Sequence, residues 1–202
     1  EMEYRVIEGR AGGGADFKPL GQELTDTLCD LMSFFHDRLK VHLKDEGIRH
    51  DVIDACLANP LNDDLRLIAE RATALEGVLN TDEGANLVQG FKRANNILKQ
   101  AELKDGVEYS YGADLKYAET NEEKVLFAAL DQAAEAIQAS LALGDHVGAM
   151  AAMAELRHPV DAFFEAVQIN VDNEVLRRNR LNLLSRIRSV CGQVADLAQL
   201  EG

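Results

Sequence analysis

Tryptophan is absent from this 202-residue chain, aromatic residues make up only 5% of it, and it has three cysteines. With so few rings, alanine and leucine must fill the interior, which favours helices packed closely together. Cys29, Cys56 and Cys191 lie far apart, each within an apolar stretch and none in a CxxC pair. That odd count argues against a disulfide framework or a cysteine zinc site, and a reducing, cytoplasmic compartment is the simplest reading. No apolar run approaches the roughly 18 residues that mark a membrane-spanning helix. The N-terminus is acidic and then glycine-rich, unlike a secretory signal.

Catalytic patterns are missing too. His36, His42, His50, His146 and His158 form neither HExxH nor HxxxH, and none stands beside a cysteine or carboxylate at metal-ligand spacing. There is no GxSxG. The Gly12–Gly14 run is followed by neither GKS nor GKT, which argues against a phosphate loop. The carboxylates read as polar helix faces, and Asp51, Asp54, Asp63 and Asp64 as helix N-terminal residues rather than cation ligands. The reading is a chain with no catalytic residue, no metal site and no cofactor of its own.

The formal net charge is −14 and the isoelectric point about 4.7. Such a surface repels anionic membranes and polyanions, so an RNA-binding role requires a local basic face. The acidity is unevenly spread: residues 51–155 hold 19 acidic and 8 basic side chains, whereas residues 156–202 hold 6 of each.

What is present is helical period. Residues 1–16, with Ile7-Glu8-Gly9-Arg10 and a glycine spacer, read as a cloning remnant or linker, and residues 17–202 as the functional region. Leu24, Leu28, Leu31, Phe35 and Leu39 share one face of a helix stopping near Gly47. A short helix over 51–58 ends at Asn59-Pro60. Leu61, Leu65, Ile68, Ala72, Leu75 and Leu79 form the next stripe. After a start at Thr81, Leu87, Phe91, Ala94, Leu98 and Ala101 form another. Residues 104–120, with Tyr109, Tyr111 and Tyr117, break the period as a long connection. Further helices are expected from a cap at Asn121, from Gly144-Asp145 (with Val147, Met150 and Ala154), from His158-Pro159 and from Asn173. The fold class is all-α, a multi-helix bundle.

Two basic clusters stand out. Lys92, Asn96 and Lys99, with Arg93 adjacent, lie opposite the stripe of their helix. Arg177, Arg178 and Arg180 lie close together, with Arg186 and Arg188 further along. Guanidinium and amide groups suit phosphate oxygens and unstacked base edges, although a solvated helix face has the same look. Arg180 falls on the apolar stripe of the last helix, between Leu176 and Leu183, and is expected to pair with a buried carboxylate.

Three collinear stretches carry a family resemblance. Residues 160–167 (VDAFFEAV), 173–184 (NEVLRRNRLNLL) and 194–197 (VADL) resemble the C-terminal, DALR-type anticodon-binding end of the β subunit of bacterial glycyl-tRNA synthetase, with a signature at 174–184. Residues 34–41 (FFHDRLKV), 51–55 (DVIDA) and 91–98 (FKRANNIL) are similar to the same subunit, and the last also to arginyl-tRNA synthetase. Val175 stands where the signature has alanine. Cys191-Gly192 replaces bulkier residues, with an expected mid-helix glycine cost of about 1 kcal/mol.

The resemblance implies a fragment, ending at or near the natural C-terminus, of a glycine–tRNA ligase. The complete enzyme is a heterotetramer of two α and two β subunits, uses ATP and magnesium, and performs its chemistry on the α subunit. It implies tRNA for glycine as partner, with neither membrane nor DNA, and an RNA-binding set of Lys92, Arg93, Asn96, Lys99, Arg177, Arg178 and Arg188, with a tyrosine as stacking face. The competing readings are an acidic helical scaffold that docks a protein, and the equivalent domain of arginyl-tRNA synthetase.

Overall fold

In a computed structural model, residues 20–58 and 63–201 are described, with side chains from residue 25 onward. The expected remnant over 1–16, the Leu24 side chain, and Asn59, Pro60 and Leu61 lie outside the described residues. Among those described the fold is all-helical: α1 (Leu20–Asp45), α2 (His50–Leu57), α3 (Leu65–Leu79), α4 (Asp82–Asp105), α5 (Asn121–Ala142), α6 (His146–Ala154), α7 (Arg157–Ala166) and α8 (Glu174–Gly192), with 3-10 turns at Leu115–Tyr117 and Leu197–Gln199.

Short polar side chains start most helices by accepting the amide N–H groups that a first turn leaves unpaired. Asp64 accepts from Arg66 and Leu67, Thr81 from Gly84, Asp145 from Gly148, and Asn173 from Val175 and Leu176. At α5 the cap is Thr120, not Asn121. The Thr120 hydroxyl accepts from the Glu123 N–H while the Glu123 carboxylate accepts from the Thr120 N–H, a reciprocal capping box that Asn121 cannot make one position later.

Helix α4 is the central strut. Its stripe of Leu87, Phe91, Ala94, Leu98 and Ala101 is buried throughout, and α3, α6, α7 and α8 all pack on it. Gly90 permits the close approach of α7: a Cβ there would lie 3.0 Å from Val160 Cγ1. At its far end Gly106 adopts φ 65°, the left-handed turn that glycine takes without a steric penalty. In α6 the buried residues are His146, Ala149, Met150 and Met153, whereas Val147 is exposed, because this short helix wedges between α3 and α5 and meets both. Gly192 is the last residue of α8, so the mid-helix glycine penalty does not arise. Val194 and Leu197, past the helix end, remain in the core.

Helix α1 departs from expectation. Leu39 and Leu43 join the core, but Leu28, Leu31, Phe34 and Phe35 are exposed, Leu28 by 54%. The elements packed on α1 are α2 and α3, and they cover only its C-terminal part.

Candidate nucleic-acid interface

The first turns of α8 tie together segments remote in sequence. The Arg177 guanidinium is 2.7 Å from an Asp105 carboxylate oxygen, and it also donates to the Tyr109 hydroxyl oxygen at 3.3 Å and to Asn170 Oδ1 at 3.2 Å. The Tyr109 hydroxyl donates to the same Asp105 oxygen at 2.6 Å. This hydroxyl and Arg177 together hold the Asp105 carboxyl below the usual carboxylate range. Burial and the neighbouring Asp105 push the Tyr109 phenol up.

Asn179 accepts the Asp114 N–H at 2.8 Å and donates to the Asp114 carbonyl at 3.2 Å, imitating a strand partner for the loop. Arg180 Nε donates to Glu123 at 2.8 Å, and its other nitrogens reach the Gln168 carbonyl and Glu119. Glu123 is only 1% exposed, so it and the buried Asp51, which pairs with Arg49 and accepts the Val52 and Glu201 N–H groups, depart from the expectation that carboxylates lie on polar faces. Each is buried because an arginine and backbone N–H groups surround its oxygens. Further along α8, Arg188 grips Glu102 with two nitrogens, at 3.1 and 3.3 Å, and Arg186 pairs with Asp131.

Arg177 and Arg188, two of the expected phosphate contacts, are thus engaged in ion pairs within the protein. Arg178 differs: it is exposed, has no ion-pair partner among the described residues, and lies 6.0 Å from the centre of the Tyr111 ring. Tyr109 is buried and offers no stacking face, because its hydroxyl is drawn into the Asp105–Arg177 network. Tyr111 is 85% exposed.

The α4 cluster divides in two. Each residue turns a helix by about 100°, so Arg93, Ile97, Gln100 and Lys104 follow one flank, and Lys92 and Lys99 lie on another, with Asn96 between. Arg93 stacks over Phe164 of α7, its guanidinium carbon 4.5 Å from the ring centre. Two depressions run along the first flank, and a third shares a lining residue with the second. One, of about 520 Å³, includes Arg93, Ile97, Phe164 and Asn170. The next, of about 470 Å³, shares Ile97 and Asn170 and adds Gln100, Lys104 and Arg177. The third, of about 580 Å³, shares Arg177 and adds Tyr111, Arg178 and Asn182. Arg93, Lys104, Arg177 and Arg178 thus line neighbouring depressions that share lining residues, and Lys92, Asn96 and Lys99 line none of the three.

Lys104 and Asn182 were not singled out in the sequence. The steps of 4, 3 and 4 from Arg93 through Ile97 and Gln100 are the signal for Lys104. Asn182 is surrounded by apolar α8 residues and carries no such signal. No group of three or more histidine, cysteine or acidic side chains that could hold a metal ion occurs among the described residues.

Residues 87–200, which contain the residues that line these depressions, match the family model of the DALR anticodon binding domain. The glycine–tRNA ligase beta subunit of Cereibacter sphaeroides is 63% identical over 188 residues, covering 93% of this chain and 26% of that protein. That of Dinoroseobacter shibae is 63% identical over 201 residues, covering 98% of this chain and 28% of that protein. That of Rhodospirillum centenum is 49% identical over 174 residues, 86% of this chain and 24% of that protein. The chain spans about a quarter of the length of the curated relatives it matches. By the match over residues 87–200, the chain belongs to the DALR anticodon binding domain family.

Proposed function

We propose that this chain is the part of a glycine–tRNA ligase β subunit that binds the anticodon arm of the tRNA for glycine. The observation that carries the reading is the set of neighbouring depressions lined by Arg93, Lys104, Arg178 and exposed Tyr111, all within residues 87–200, in a chain that is strongly acidic as a whole. Arginine and lysine along a groove hold phosphates, and an exposed ring beside them stacks an unpaired base. Lys92, Asn96 and Lys99, on the adjoining flank of α4, add contacts where the RNA crosses that helix.

In this reading the complete enzyme is an α2β2 heterotetramer in the cytoplasm that joins glycine to its tRNA at the expense of ATP, with magnesium. The adenylate chemistry belongs to the α subunit, and this region contributes selection of the tRNA. The names of the relatives favour the glycine enzyme over the arginine one. Protein docking is favoured by one different observation, the uncovered Leu28, Leu31, Phe34 and Phe35 on α1, which lie outside residues 87–200.

Charge reversal tests the reading: R93E with K92E should weaken binding of the tRNA for glycine at low salt. Unchanged affinity would remove the α4 face from the interface. The salt dependence should be shallow, because few phosphates are met.

A further inference from the structure

We infer that the uncovered apolar face of α1 is the docking surface for the part of the β subunit that lies outside this chain. Helix α1 is thereby held between this domain and the rest of its own polypeptide. The inference rests on the β-subunit part of the reading above and makes no use of the RNA part.

Helix α1 is apolar around more of its circumference than this domain covers. At about 100° per residue, the arc from Leu43 and Leu39 through Leu28, Phe35 and Leu31 to Phe34 spans about 180°, against roughly 100° for a helix that lies on one surface. One side of the arc, Leu39 and Leu43, meets the core, where α2 and α3 pack. The other side, Leu28, Leu31, Phe34 and Phe35, is 40–54% exposed. Its rings touch: Phe34 and Phe35 meet edge-on with centres 5.9 Å apart, and Arg38 lies 5.2 Å from the centre of the Phe34 ring. Asp30 and Asp37 fall on the back of the helix. So α1 has one acidic, water-facing side and two apolar ones, the pattern of a helix between two bodies.

The size of the patch decides what covers it. Two rings of roughly 200 Å² and two leucines of similar size, each about half exposed, offer about 400 Å². A stable interface between separate molecules buries about 800 Å² on each partner, so the patch is too small to hold a second copy of this chain. A body joined to α1 through the same polypeptide meets no such threshold, because the linkage keeps it at high effective concentration.

The place of α1 in the sequence supplies that body. It precedes residues 87–200, which match the anticodon binding domain, yet lies within the stretch shared with the Dinoroseobacter shibae beta subunit, which takes in 98% of this chain and only 28% of that protein. Nearly three quarters of that protein lies elsewhere, ample to furnish a second surface against α1.

Maleimide labelling of cysteines placed on α1 tests this in three samples: this chain, the complete β subunit, and the β subunit with its α partner. Leu31→Cys and Phe34→Cys, each combined with Cys29→Ser, report on the face. Ser33→Cys in the same background reports on the back, and peptide mass spectrometry counts the label at each position. All three sites are exposed here, so all should react quickly in this chain. In the complete β subunit alone, positions 31 and 34 should react about tenfold more slowly or less, while position 33 stays within about twofold of its rate in this chain. Unchanged rates at 31 and 34 would overturn the inference, as would equal slowing of all three positions. Slowing that appears only when the α subunit is added, or in this chain as its concentration rises, would assign the face to that subunit or to a second copy and likewise overturn it. None of these outcomes depends on tRNA, whose titration tests the RNA reading separately.

Discussion

Arg180 Nε donates to the Glu123 carboxylate at 2.8 Å, and both side chains are buried, so one ion pair locks the start of α8 to the start of α5. Burial alone would raise the Glu123 carboxyl. Arg180 and the N–H groups of Thr120 and Glu119 outweigh it and hold the group below its ordinary 4.5. Removing one partner of a buried pair strands the other, so Arg180→Ala should cost about 3–5 kcal/mol in urea unfolding. Because the folded value is lowered, this stabilisation is present above about pH 4.5 and is lost as pH falls through the lower folded value. The Arg180→Ala chain should show a shallower loss of stability over that acid range. A cost within experimental error of zero would mean that the pair does not form.

His146 predicts a second pH effect in a different window. It is buried, neither ring nitrogen has a hydrogen-bond partner among the described residues, and burial together with nearby Arg71 lowers its value from the ordinary 6.5. Glu70 and Asp145 pull the other way and Arg66 adds to the lowering. The unfolded chain then binds a proton that the folded one does not, so stability should fall as pH drops below about 6.5. In His146→Leu the midpoint of urea unfolding should vary less between pH 7.5 and 5.5. Parallel curves for the two chains would contradict this.

The cysteines should divide by reactivity. Cys29 is exposed, whereas Cys56 and Cys191 are buried and burial pushes both thiols up to about 12. At neutral pH one thiol of the folded chain should react quickly with a maleimide, and three should react in denaturant. Rapid labelling of two or more in the folded chain would contradict the packing around α2 or α8.

Much of this architecture was legible in advance, for reasons that local residues show. Leu87, Phe91, Ala94, Leu98 and Ala101 follow the helical period, so their shared burial followed from spacing alone. Arg180 sat on an apolar stripe, which demanded a partner. The identity of that partner, 57 residues away, was not local information. The same holds for Arg177 with Asp105 and Arg188 with Glu102, separated by 72 and 86 residues. Arg180 apart, every arginine of the cluster had the same chance of facing solvent until the fold assigned Arg178 that place. The Thr120–Glu123 capping box has its Thr-x-x-Glu pattern in the sequence, yet the cap was expected one residue later, at Asn121. The exposed face of α1 was not: an amphipathic stripe reports that a surface is apolar, not which element covers it.

Arg177 and Arg178 should separate stability from binding. Arg177→Ala removes contacts to Asp105, Tyr109 and Asn170 and should destabilise the chain by about 1 kcal/mol or more, with faster amide exchange over residues 107–112. Arg178→Ala should leave the unfolding curve unchanged and weaken RNA binding. The opposite pattern would invert the assignment of these neighbours.

The central claim is that this domain takes part in selecting a tRNA, and it is tested most directly by titrating the chain with the tRNA for glycine and with an unrelated tRNA, each at low and at physiological salt. The account predicts tighter binding of the glycine tRNA, a preference that persists at physiological salt and is reduced by Arg178→Ala. Equal binding of the two tRNAs, lost together as salt rises, would reduce the role of these arginines and lysines to non-specific charge attraction and contradict it.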